Sequence, residues 1–359
     1  MFIQAITLRP VSVEGIAILR KHRFERNDDR TLFLDRLEPI ITFISERLPK
    51  NASPNSITLF GFLNRIFAAL ICSTSNNDKP PKFVIFIILI ANIIADVSGK
   101  IDGMHAHRLF KSNAIGSFLD RGLDCLNESF FTYTFLFTLR ATRDYLSILA
   151  AIYFVFAQTF FPAFYGNMIL KNSSLLKRIG ISEVKILLNF ILLVSLLFGT
   201  EFWILSIFWR FRLFHIIFLL IIGGVTFVVI EIIRTVNTTR FAGEFHRKAY
   251  PCVISLALTS LLIHTAQSDY LIFYYFIGCF SFWVIFSEYL LSMMAKQEPL
   301  LIWTIISWLG FLVFVQLYEE NKVLVILQML CTCSYSLMYF GAVLTQISTE
   351  LKIPIFLSD

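Results

Sequence analysis

The residues whose types and spacing could do chemistry fall in one run, Asp102 to Asp124, reading DGMHAHRLFKSNAIGSFLDRGLD. Asp120 and Asp124 are one helical turn apart, so their carboxylates project from one face, with Gly116 a turn earlier on it. Asp102 is expected to follow the end of the preceding helix, with Gly103 beginning a tight passage, and Gly122 to keep the space between the two acids free of bulk. Carboxylates converging from two apolar segments are expensive at a bilayer face unless something positive holds them. Mg2+ or Mn2+ suits such a set, because hard cations take oxygen donors and leave positions for water and phosphate. His105, His107, Arg108, Lys111, Ser112 and Asn113 lie between the acids, donors that could neutralise charge developing on a leaving phosphate. A carboxylate not committed to a cation could take the proton of an attacking hydroxyl, and Asp124 is the choice for that base. An isolated histidine near headgroups is usually polar lining, so neither His105 nor His107 is read as a metal ligand.

Membrane helices must position these groups. The 359-residue chain is 57% hydrophobic and 16% charged, with 39 phenylalanines, well into the multispanning class. Windows of roughly 20 apolar residues suit the hydrocarbon core, and about ten recur. They lie near residues 57–73, 83–98, 115–139, 145–169, 184–200, 212–234, 251–267, 270–295, 299–318 and 322–347. The expectation is an all-α integral membrane protein of about ten transmembrane helices with an N-terminal interfacial helix. It divides into a cytosolic N-terminal segment (1–56), a transmembrane domain (57–347) and a short cytosolic tail (348–359). The interfacial helix is read over 31–47, with Pro39 kinking or dividing it. Asn55 or Ser56 is expected to cap the first span, and that span, not a cleavable signal peptide, to direct insertion.

Lys and Arg fall mainly on the side that carries the Asp102–Asp124 run if the spans alternate, which places that run in the cytosol. The loops Lys171–Arg178 and Arg234–Lys248 share that side. These residues are spread between spans, which suits anionic membrane lipids and argues against nucleic acid. Cys72, Cys125, Cys252, Cys279, Cys331 and Cys333 are read as reduced, packed side chains with no zinc site. Asn64 and Arg65 could face the site or a lipid headgroup, though an arginine near a helix end can equally snorkel. Solvation at helix ends is the simpler account of Glu231 and Glu288.

The run resembles the signature of the CDP-alcohol phosphotransferase family, D-x2-D-G-x2-A-R-x8-G-x3-D-x3-D. Asp102, Gly103, Ala106, Gly116, Asp120 and Asp124 stand on matching positions, while Gly99 replaces the first Asp and His107 the Arg, with Arg108 immediately after. The flanks, Leu19–Phe24, Leu48–Pro49, Pro54–Gly61 and a tail from Phe340–Gly341 to Ile353, are similar to the eukaryotic choline and ethanolamine branch. The fourth span, with Gln158–Pro162, lacks the polar positions expected of that branch. The resemblance implies transfer of phosphocholine or phosphoethanolamine from CDP-choline or CDP-ethanolamine to diacylglycerol, releasing CMP. It implies Mg2+ or Mn2+ on Asp102, Asp120 and Asp124, with Asp96 as a candidate replacement ligand one turn before Gly99. Gly103, Ala106, His107, Arg108 and Gly116 become substrate-binding positions, and Asp124 the base. It also implies an endoplasmic reticulum or Golgi address; a homodimer stays open. The alternatives are a catalytically degenerate relative acting as a binding or partner subunit, and a transporter, whose mark would be buried charge near midspan.

Overall fold

Each of the ten apolar stretches coincides with a helix over its described residues, the fourth only over Tyr145–Ala157. The computed structural model describes residues 10–20, 34–75, 80–157, 181–208, 211–237, 242–299, 301–318 and 321–356. Two helices precede the apolar series, α1 (Val13–Leu19) and α2 (Leu34–Arg47). Then come α3 (Pro54–Thr74), α4 (Lys82–Arg108), α5 (Ala114–Thr138), α6 (Tyr145–Ala157) and α7 (Ile181–Phe198). A 3-10 turn (Thr200–Ile204) and an exposed antiparallel ribbon, β1 (Ser206–Phe208) with β2 (Phe211–Arg212), are the departure from all-helix. The chain closes with α8 (Leu213–Asn237), α9 (Ala242–Thr265), α10 (Leu271–Ala295), α11 (Ile302–Tyr318) and α12 (Lys322–Leu351). Among the described residues α3, α4, α8, α10 and α12 are long and apolar enough to cross a membrane, and α6, α7, α9 and α11 contain shorter apolar helices. α5, the acid-bearing helix, is the tenth.

Several boundaries differ from the sequence expectation. α3 begins at Pro54 behind Ser53, whose side chain makes no capping bond. Proline suits that first position because its missing N–H would have had no helical partner; Asn55 and Ser56 therefore lie inside the helix. Pro39 sits within an undivided α2, early enough that it forgoes a single bond to the carbonyl of Asp35. Residues 31–33, the loop at 171–178, Gln158–Pro162 and the side chains of 242–248 lie outside the described residues.

α10 organises the core. It is apolar all round and buried along nearly its whole length, as a helix with neighbours on every side must be, and it packs against α5, α9, α11 and α12. Trp283 on α10 donates its indole N–H to the carbonyl of Gly122 on α5 at 2.7 Å. Phe340 of α12 stacks on Phe118 with centroids 5.0 Å apart and stands 4.9 Å from Trp283. A Cβ on Gly122 would collide with the Phe340 ring. Gly122 thus serves the buried face of α5 and not the gap between the acids, because two residues along a helix turn a side chain to the far side. That packing leaves Gly116, Asp120 and Asp124 on the opposite face.

α1 is clamped to the bundle by two glutamines. Gln346 brackets Val11, accepting from its N–H at 2.9 Å and donating to its carbonyl at 2.7 Å, while Gln297 accepts from Ser12 N and donates to Pro10 O. α2 packs against α4 and turns Ile40 and Phe43 outward, more than half exposed, as a helix lying in a lipid interface does. The six cysteines are free thiols; four are buried, but Cys331 is exposed.

Candidate active site

Asp102 and Gly103 do not end a helix. α4 continues to Arg108 and stops where Phe110 takes a positive φ of 55° and Lys111 N returns to the carbonyl of Ala106 at 3.0 Å, a left-handed helix cap. The last turn is pinned from outside. Arg108 Nη2 donates to Leu48 O at 3.0 Å and to His105 Nδ1 at 3.1 Å. An arginine only donates, so Nδ1 is the acceptor and the buried His105 gives its Nε2 proton to Ala52 O at 3.0 Å. His105 and the Nη2 of Arg108 therefore hold the turn before α3 and are not free for a phosphate. Asn113 caps α5, its Oδ1 accepting from Gly116 N at 2.8 Å. Gly116 lies against Asn55, whose Oδ1 would be 2.9 Å from a Cβ there, and Asn55 Nδ2 donates to Ile355 O of the tail at 2.6 Å. His107 is exposed and Ala106 half-buried.

The three signature acids, carried by α4 and α5, lie within electrostatic reach of one another. Asp102 is buried, 3% exposed; its Oδ2 accepts from Thr58 of α3 and its Oδ1 from Gly103 N, both at 2.5 Å. Asp120 is half-buried and Asp124 exposed. Among the described residues neither carboxylate has a hydrogen bond or close ion pair, yet the charges feel one another: Asp102 repels Asp120 and Asp124, and Asp120 repels Asp124. Lys100 attracts all three, and Lys185 of α7 attracts Asp120 and Asp124. The donor chemistry fits a hard divalent cation: oxygen ligands only, mutually repelling, two of them without a hydrogen bond among the described residues. The side chains are not closed around one, since among the described residues no three His, Cys, Asp or Glu stand in a group able to hold a metal ion. Added Cβ atoms at Gly99 and Gly103 meet nothing within 4 Å, so this part of α4 borders open space.

Asp96 is engaged elsewhere. Its Oδ1 accepts from Arg65 Nη2 at 2.5 Å and its Oδ2 from Asn189 Nδ2 at 3.0 Å. Arg65, with 1% side-chain exposure, also donates to Asn92 Oδ1 at 2.6 Å and lies 4.6 Å over the Phe131 ring. It is therefore a core residue, not a snorkelling one. Lys185 completes the group by pairing with Glu128 Oε1 at 2.5 Å. Thr58, Lys100, Lys185 and Glu128 were not singled out by sequence reasoning; the signal that marks the last three is an ionisable side chain in an apolar helix. Glu288 corrects another expectation, being 3% exposed beside Tyr335 and Tyr339 and not solvated at a helix end.

Comparison with known proteins bears on this arrangement. No family model matches the chain. Cholinephosphotransferase 1 of Gallus gallus is 29% identical over 203 residues, covering 54% of this chain and 58% of that protein. The chain resembles the choline and ethanolamine phosphotransferases. Ethanolaminephosphotransferase 1 of Pongo abelii is 29% identical over 133 residues, 34% of each chain. Cholinephosphotransferase 1 of Rattus norvegicus is 22% identical over 372 residues, 97% of this chain and 91% of that protein. The alignments with the first two phosphotransferases thus span less than two thirds of their length, while the third runs nearly end to end at lower identity.

Proposed function

We propose that this protein transfers phosphocholine or phosphoethanolamine from a CDP-alcohol to diacylglycerol, forming phospholipid and CMP. What supports this reading is that Asp102, Asp120 and Asp124, from two helices, lie within electrostatic reach of one another on a stretch of α4 and α5 that borders open space at Gly99 and Gly103, in a chain whose named relatives are phosphotransferases. Asp102, Asp120 and Asp124 are the residues to hold Mg2+ or Mn2+. When bound, the cation would compensate charge on the diphosphate as CMP leaves.

The remaining chemistry falls to side chains. Thr58 and Gly103 N fix both oxygens of Asp102, so that ligand is oriented before anything binds. Asp124, exposed and without a hydrogen bond among the described residues, takes the proton of the diacylglycerol hydroxyl. The hydroxyl oxygen then attacks the phosphorus that carries the alcohol, in line with the bond to CMP, which breaks. Gly99 and Gly103 leave room for the nucleotide. The site faces the cytosol, where the water-soluble donor is found, and the acceptor arrives from the leaflet of an endoplasmic reticulum or Golgi membrane.

A second reading, a binding or partner subunit without turnover, is favoured by one observation: no side chain at position 99 provides a further carboxylate, and Asp96 is held by Arg65 and Asn189. Incorporation of label from CDP-choline and CDP-ethanolamine into lipid by purified protein, with Asp124→Asn as control, separates the two. Product that depends on Asp124 supports the enzyme; equal background in both proteins supports the subunit.

A further inference from the structure

We propose that the ammonium group of Lys185 binds phosphate oxygens of the ligand in the cleft, supplying from the chain itself positive charge that a carboxylate at position 99 would otherwise bring in with a cation. This rests on the reading that the cleft takes a phosphate-bearing ligand. Asp96, Gly99 and Gly103 lie at i, i+3 and i+7, on one face of α4. At Asp96 that face is met by α7 through Asn189 and Lys185. At Gly99 and Gly103 an added Cβ meets nothing within 4 Å. Among the described residues α7 thus meets this face at Asp96, one turn from Gly99, and places Lys185 there.

Donor arithmetic favours a further partner for Lys185. Asp96 already accepts from Arg65 on one oxygen and from Asn189 on the other, and its 3.9 Å separation from Lys185 Nζ is too long for a hydrogen bond. Glu128 takes one N–H of the ammonium, leaving two without a hydrogen-bond acceptor among the described residues. The pair is also unevenly covered, with side-chain exposure of 21% for Lys185 and 5% for Glu128. Lys185 acts electrostatically on Asp120 and Asp124, so its charge reaches a phosphate held by those acids' cation. A lysine in an apolar segment is expensive unless it is used.

The test is equilibrium binding of CMP, cytidine and inorganic pyrophosphate to the full chain in lipid nanodiscs with excess magnesium. Lys185→Met is expected to weaken CMP and pyrophosphate about tenfold or more and to leave cytidine unchanged, while Lys185→Arg keeps most of the affinity. Lys185→Met combined with Glu128→Gln leaves no lone buried charge, and it is expected to bind CMP as weakly as the single variant. Wild-type affinity in that double variant, or an equal loss for cytidine and CMP, would show Lys185 to be only the structural partner of Glu128 and overturn the proposal. Pyrophosphate binding that depends on Lys185 without any CMP binding keeps the proposal and removes the nucleotide reading. CMP and pyrophosphate binding indifferent to Lys185 removes the proposal and keeps the reading, and a wild type that binds none of the three overturns both.

Discussion

Two groups of acids share the helices α4 and α5 and are treated in opposite ways. In the deeper group, Asp96 and Glu128 each face a cation built into the chain, Arg65 and Lys185, at 2.5 Å. In the outer group, Asp120 and Asp124 have no such close partner among the described residues, and with Asp102 they repel one another. Buried charge is affordable when paired, and removing one partner leaves the other uncompensated. The deeper group is thus balanced in charge as folded, whereas the outer one is balanced only when positive charge arrives from outside. Mid-helix charge is also the mark expected of a transporter, but here the acids are closed off by the chain's own cations, which suits a brace beneath a site better than an ion path.

Variants can break this contrast from either side. The largest effect is expected from Arg65→Met, which takes from Asp96 its close cation and leaves it Asn189 and the more distant Lys185; it should cost about 3 kcal/mol of stability, read as loss of folded protein in a detergent melt, and adding Asp96→Leu should recover much of it. Asp120→Asn and Asp124→Asn are expected to lower product formation by about 100-fold or more with the melting temperature unchanged or raised, since each relieves repulsion. If either proves as destabilising as Arg65→Met, the outer acids are braces as well. Gly122→Ala, which forces a methyl against Phe340, should lose about 1–3 kcal/mol in the same melt without changing metal dependence. The smallest structural effect belongs to Gly99→Asp, which meets open space: stability is expected to stay within about 0.5 kcal/mol, while the magnesium concentration for half-maximal turnover falls. A melt that collapses would show the space at Gly99 to be needed for packing.

How much of this could be read from the chain follows from the range of the forces involved. Local signals served well: apolar windows coincide with helices wherever the residues are described, and the four-residue spacing put Asp120 and Asp124 on one face. They failed where tertiary contacts decide. Nothing local shows that α4 runs on to Arg108, because its last turn is held by His105 and Arg108 reaching back to Ala52 and Leu48. Local sequence leaves Gly122 open to the acids, and only Phe340, far along the chain, fills its space. Spacing alone makes Asp96 a spare ligand, yet its partner Asn189 lies 93 positions away, beyond any spacing rule.

The central claim, that the outer acids take their compensating charge from a bound divalent cation, is tested most directly by titrating Mn2+ into the purified protein in nanodiscs and following the electron paramagnetic resonance signal of the free ion. Saturable binding that is lost in Asp120→Asn and kept in Asp96→Asn is the predicted result. Binding that is absent from the wild type, or that survives Asp120→Asn unchanged, would contradict the account.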